Sequence, residues 1–458
     1  MTKTFFDGRK VFDAEDLRGP RVYSTDLAPS LYNDEDSILV TARALKIKII
    51  AKGLVTLNCA HLVSPLAVRL FEKHPDLFKG EAILPAFRTD KSALADYVED
   101  IESFEKAGIG KSQLEEHIAR VGEGVRRVMP WELADVGDRF RELIVTGLSN
   151  ERSTISQELD RQHGYSQGER DRLAKEIAGL NFGASVHLRD YIAQLSPGVR
   201  APLNRFSTAC YHMVGTSVVR CETGMDLNPL SHFKMEDVLL AGQREEPESL
   251  TEEAVFLDLF LATALDTVQS AAFPSQIIDS LSFEHAHALS KALREIGFQE
   301  KYDQIIQSYL DTAAKTDKRE ALESIDPVAI STAASELARA FEVAIVAELP
   351  NYMTKEATDA KGELYRAGTD LGRDLLGFVP FVGQVVSTAG ILVSGYKLTS
   401  AAASVYDAKT ALAEAHTRRN QRIRAAIDGL KVGASKKAEL LSGVAALSDV
   451  HTATISRA

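Results

Sequence analysis

The chain has 458 residues, which at roughly 150 residues per domain suggests two to four compact units. Hydrophobic residues at 45% and charged residues at 26% exclude a wholly disordered, collagen-like or fibrous chain. A formal net charge of −12 argues against bulk binding to nucleic acid, and three cysteines are too few for a disulfide framework. Neither a nucleic-acid partner nor a cofactor is expected.

The first residues, MTKTFFDGRKVFDAEDLRG, hold no apolar run of signal-peptide length and carry acids early. A secretory signal or transit peptide is therefore not expected, and the cytoplasm is the expected location. Residues 55–59 and 82–87 are short apolar stretches that predict at most a small strand pair. Elsewhere helical periodicity dominates, so the expected fold is mainly α, a multi-helix bundle with at most a small β element near 55–87.

Leu94, Val98, Ile101 and Phe104 recur at helical spacing, and the pattern breaks at Gly108 and Gly110. Residues 108–112 (GIGKS) end like a phosphate-binding loop. That motif needs a glycine at 105, where Glu stands, and a buried strand before it, where 96–107 reads as an acidic amphipathic helix. A helix stop followed by a Ser112 cap is the expected reading. Ser112/Glu115, Ser166/Glu169 and Ser249/Glu252 each have the spacing of a capping box, in which Ser and Glu satisfy each other's exposed backbone donors.

Cys210, His212, Cys221 and His232 carry ligand types that zinc accepts, but their spacing matches no common finger or ribbon. They are weak metal candidates, and ordinary packing is the expectation. His285 and His287 stand two apart in a helical pattern, so they cannot share an ion there. Cys59 and His61 lie in an apolar stretch without an orienting acid, and there is no GxSxG elbow. Arg205, Arg220, Arg126 and Arg127 have the charge for an anionic ligand, though exposed arginines commonly only solubilise. No enzymatic signature stands out.

Residues 241–248 (AGQREEPE) and 312–326 read as polar linkers, and no fixed-period repeat is present. The expected organisation is a helical sensor or regulatory region at 1–245, a second helical region at 246–345, and a third at 346–458 holding an apolar hairpin at 375–406.

Residues 375–396 (LLGFVPFVGQVVSTAGILVSGY) carry no charge over 22 positions. One helix of that length would rise about 33 Å, close to the roughly 30 Å hydrocarbon core of a bilayer. Gly383, Ser387, Gly390 and Ser394 fall on one helical stripe of small residues, which lets a second helix approach closely in lipid, and Val386 lies beside them. Residues 407–458 hold nine Lys and Arg against five acids, a net +4, which leaves −16 on the rest. Arg418, Arg419, Arg422 and Arg424 dominate that segment and suit an anionic leaflet. Against this, Pro380 ends a helix just before itself, and the remaining 16 or so residues rise only about 24 Å. Two readings follow: a triggered membrane-active effector, peripheral or conditionally inserted, or a scaffold that binds a protein partner or itself and buries 375–396. A metal-dependent enzyme is the weaker third.

Overall fold

The computed structural model describes residues 10–11, 21–24, 27, 35–98, 101–151, 153–180, 185–218, 275–314, 318–348 and 432–442, with isolated positions at 260–273, 427–430 and 445. The described part is 72% helical, so the chain is mainly α. The hairpin at 375–406, the stripe Gly383, Ser387, Gly390 and Ser394, Val386, the arginines at 418, 419, 422 and 424, and Ser249/Glu252 lie outside the described residues. So does the predicted linker at 241–248. Among the described residues no helix is long and apolar enough to cross a membrane.

The chain divides into two compact units. The described residues of 1–41 and 52–246 form one, and those of 42–51 and 247–458 form the other.

The first unit is built on a parallel sheet. Its strands are β1 (Lys10–Val11), β2 (Arg21–Ser24), β3 (Leu54–Asn58), β4 (Ile83–Arg88) and β5 (Arg127–Trp131), in the spatial order β1-β5-β4-β3-β2. The two predicted strands are β3 and β4, adjacent and parallel, with Val55 opposite Ile83 and Asn58 opposite Ala86. The expectation of at most a strand pair is corrected: β2 adds beside β3, β5 beside β4, and the two-residue β1 forms the far edge. Parallel strands buried on both faces lose the alternation that marks a half-exposed strand, which is why these were not legible.

Between β2 and β3 runs α1 (Glu35–Lys52). Helices α2 (Cys59–Leu62) and α3 (Pro65–Lys73) join β3 to β4, and a 3₁₀ turn (Leu94–Tyr97) with α4 (Ile101–Lys106) and α5 (Lys111–Gly124) joins β4 to β5. The predicted continuous helix over 96–107 is thus a single turn followed by six helical residues. Gly108 adopts φ +69° and Ile109 N donates to Phe104 O at 2.8 Å, which stops α4 as expected. The N-cap of α5 is Gly110, not Ser112: the helix begins at Lys111, so Ser112 already lies inside the first turn. A helix precedes the GIGKS segment, where a phosphate loop needs a strand.

Five more helices follow: α6 (Leu133–Ser149), α7 (Thr154–His163), α8 (Gln167–Ala178), α9 (Ser185–Gln194) and α10 (Pro197–Val218). Their apolar faces meet one face of the sheet in a single core, where Tyr23, Leu84, Ala86, Met129 and Trp131 pack with Leu143, Ile144, Leu159, Ile177, Leu203 and Phe206. Two details fix these helices. A side chain added at Gly147 on α6 would stand 2.3 Å from Phe206 on α10, so only glycine permits that approach. The Gly147 carbonyl at the end of α6 accepts from the Ser153 hydroxyl and, at 2.9 Å, from the Ser156 hydroxyl. The predicted capping box at Ser166 is present: Glu169 Oε2 accepts from Ser166 N at 2.8 Å.

The second unit contains α11 (Ser275–Ser280), α12 (Phe283–Glu295), α13 (Phe298–Ala314), α14 (Lys318–Ser324) and α15 (Pro327–Glu348). Phe273, Phe298, Tyr302 and Phe341 form its aromatic centre, with ring centroids 5.2–6.4 Å apart. Most of the stretch predicted as a linker at 312–326 is helical, because Ala321, Leu322 and Ile325 are buried there. Residues 42–51 supply buried cations: Arg43 makes a paired contact with the Asp279 carboxylate, and Lys46 Nζ donates to Asp279 O at 3.1 Å while lying 5.5 Å from the Phe283 ring centre.

Candidate functional site

Strand register brings three side chains to one face at the carboxyl ends of the sheet. Asn58 on β3 lies opposite Ala86, and Arg88 on β4 lies opposite Trp131 on β5. This is the face that packs on α6–α10, and Tyr211 from α10 and Phe140 from α6, whose rings stand edge to face at 5.7 Å, complete the surroundings. Ligands of open parallel sheets bind outside the carboxyl ends of the strands, which makes this edge the first place to look.

Each group is held from two sides. Asn58 Oδ1 accepts from Ala60 N at 2.9 Å and caps α2, while its Nδ2 donates to Tyr211 OH at 3.0 Å. After β4, Thr89 N donates to Trp131 O at 3.0 Å and extends the pairing by a residue. The chain then turns on Asp96, whose Oδ2 accepts from Ser92 N at 2.7 Å, Ser92 Oγ at 2.9 Å and Ala93 N at 2.8 Å. That turn presents Tyr97, whose hydroxyl oxygen accepts the Arg88 N–H.

Arg88 dominates the electrostatics. Its Nε donates to Asp90 Oδ1 at 2.8 Å and its Nη2 to Asp90 Oδ2, a two-point pairing of guanidinium with carboxylate. The guanidinium carbon lies 5.9 Å from the Trp131 ring centre. The Arg88 side chain is 11% exposed and that of Asp90 52%, so the cation is embedded and its counter-ion faces solvent. Hydrogen bonds from Arg88 hold the Asp90 carboxyl below the usual carboxylate range. Burial disfavours the charged guanidinium, but the bonds to Asp90 outweigh it and raise the pKa of Arg88. Burial also raises the phenol of Tyr97 and the thiol of Cys59, which leaves that thiol a poor nucleophile. The edge is thus a fixed, paired cation ringed by hydroxyl, carboxamide and aromatic groups.

Of these residues, sequence reasoning weighed only Cys59. Of the metal candidates, Cys210 is buried on α10 and His212 follows it on the same helix, while Cys221 and His232 lie outside the described residues. Among the described residues no group of three or more His, Cys, Asp or Glu is placed to hold a metal ion. His285 and His287 lie on α12, a helix as predicted. Arg205 pairs with Glu158, and Arg127 pairs with Glu81 at 2.8 Å, with Arg126 at 3.9 Å from the same carboxylate.

No family model, curated protein or solved structure matches the chain.

Proposed function

We propose that this is a cytoplasmic protein that engages an anionic membrane surface through 375–396, as a triggered, membrane-active effector. The observation that carries the reading is the 22-residue uncharged segment followed by a net +4 in 407–458. An apolar stretch next to a basic one is what the negative surface of a leaflet attracts. In this reading Gly383, Ser387, Gly390 and Ser394 form a helix-packing stripe, Val386 enters the apolar layer, and Arg418, Arg419, Arg422 and Arg424 meet headgroups. The acidic remainder, at −16, is repelled by the same surface, which gives the protein a polarity of approach. The region at 1–245 acts as the sensor.

Pro380 favours a second reading. A helix interrupted there leaves segments too short to span, and a scaffold that binds a protein partner, or a second copy of itself, would bury 375–396 in its core. Co-sedimentation of the full chain with vesicles of anionic and of zwitterionic lipid distinguishes the two. The membrane reading expects pelleting with anionic vesicles that weakens as salt rises; the scaffold reading expects none with either.

A further inference from the structure

We infer that His117 is an acid-sensitive latch: its neutral ring fastens α5 onto α2 and α3, and protonation loosens that helix. The inference concerns the first unit and stands independently of the membrane reading.

α5 adheres through a narrow stripe. Leu114, His117 and Val121 are its buried residues, so a titratable ring occupies the middle of its apolar face. That ring is 4% exposed. Its Nε2 stands 2.7 Å from the carbonyl oxygen of Leu62, the last residue of α2, and it meets the Phe71 ring of α3 edge to face, with centroids 5.7 Å apart. A carbonyl only accepts, so Nε2 carries the hydrogen and Nδ1 is the bare nitrogen that takes the acid proton. Among the described residues nothing accepts a hydrogen bond from Nδ1.

The charged form finds little to compensate it. Around the ring, α2 offers the Leu62 carbonyl, α3 offers Glu72 with its partner Arg69, and α5 itself offers Arg120, which pairs with Glu116. Glu72 is already engaged: its carboxylate accepts from Gln113 of α5 and, at 3.1 Å, from Arg69. Burial disfavours the imidazolium and outweighs the Leu62 carbonyl and Glu72, which favour it, while Arg120 opposes it further. His117 is therefore held below the usual histidine pKa.

A histidine lowered in this way binds its proton more readily once the helix has opened. The latch is intact above about pH 6.5 and weakens as pH falls from there to the lower folded value, by up to about tenfold in the opening equilibrium per pH unit. Glu72 does not titrate in that interval. Burial raises its carboxyl, but the hydrogen bonds from Gln113 and Arg69 outweigh this and hold it below the usual carboxylate range.

Hydrogen–deuterium exchange of the full chain, read by mass spectrometry between about pH 7.5 and 5 and corrected for intrinsic rates, measures the opening of α5 against β4 as an internal reference. Trp131 packs with α6–α10 and is not the reporter here. In wild type, exchange from α5 should speed as pH falls below about 6.5, approaching tenfold per pH unit, while β4 keeps its protection. His117→Gln keeps a donor for the Leu62 carbonyl and cannot titrate, so its profile should be flat. His117→Phe keeps a ring and loses the donor, so its profile should be flat from a looser starting point. Circular dichroism tests that each variant is folded; if neither is, the wild-type contrast between α5 and β4 decides. The inference is overturned by wild-type α5 protection that does not change with pH, or by β4 loosening to the same degree. An acid response of α5 that survives in a folded His117→Gln or His117→Phe also overturns it.

Discussion

The guanidinium of Arg88 lies 5.9 Å from the ring centre of Trp131, and the two residues stand opposite each other on neighbouring parallel strands. The pair joins the sheet to its carboxyl-end turn, since Arg88 also binds Asp90 and its backbone N–H reaches Tyr97.

A pH titration follows from it. Arg88 depresses the Asp90 pKa, so the pair is fully present above the ordinary aspartate value near 4 and is lost as pH falls through the lower folded value. Trp131 emission should be flat from pH 7 to about pH 5 and change only in more acid solution than an ordinary aspartate requires. Asp90→Asn should remove that transition. The stability at stake is small, because the Asp90 side chain is half exposed.

Gly147→Ala should destabilise the first unit by about 1–3 kcal/mol through overpacking, because the new methyl would meet Phe206. Denaturant midpoints of the two proteins check this. Gly147→Ala with Phe206→Leu should recover part of the loss if that contact is the cause.

Asp279→Ala should destabilise the second unit by about 2–4 kcal/mol, because it leaves the buried Arg43 without its two-point partner. Arg43→Met combined with Asp279→Ala should cost less than Asp279→Ala alone, as measured by urea denaturation. An apolar chain in that site strands no charge.

Lys111→Ala should be nearly silent, within about 0.5 kcal/mol. Lys111 is 90% exposed and stands 3.9 Å from Glu115, in the first turn of α5. Nucleotide binding by equilibrium dialysis should be undetectable in both proteins.

Local signals were legible where a single element satisfies itself. The Ser166/Glu169 capping box and the Gly108 stop follow from backbone donors and from φ, and both are present. β3 and β4 showed as apolar runs. β2 is four residues long, and β5 carries Pro130 between Met129 and Trp131, so neither presents a strand pattern on its own. The strand edge was invisible for a further reason: Asn58, Arg88 and Trp131 are distant in sequence and meet only through lateral pairing. Nor does the sequence reveal that Arg43, Lys46 and Lys48 are buried, since lysines on a helix ordinarily face water.

Flotation of wild type and Val386→Arg with anionic liposomes, paired with circular dichroism, tests the membrane proposal most directly. A charge near the centre of an inserted helix costs about 3 kcal/mol or more, so Val386→Arg should stay folded and stop floating while wild type floats. The opposite pattern contradicts the proposal: wild type that never floats, together with a Val386→Arg protein that loses its helical signal, would place 375–396 in a folded core, where an unpaired charge is not tolerated.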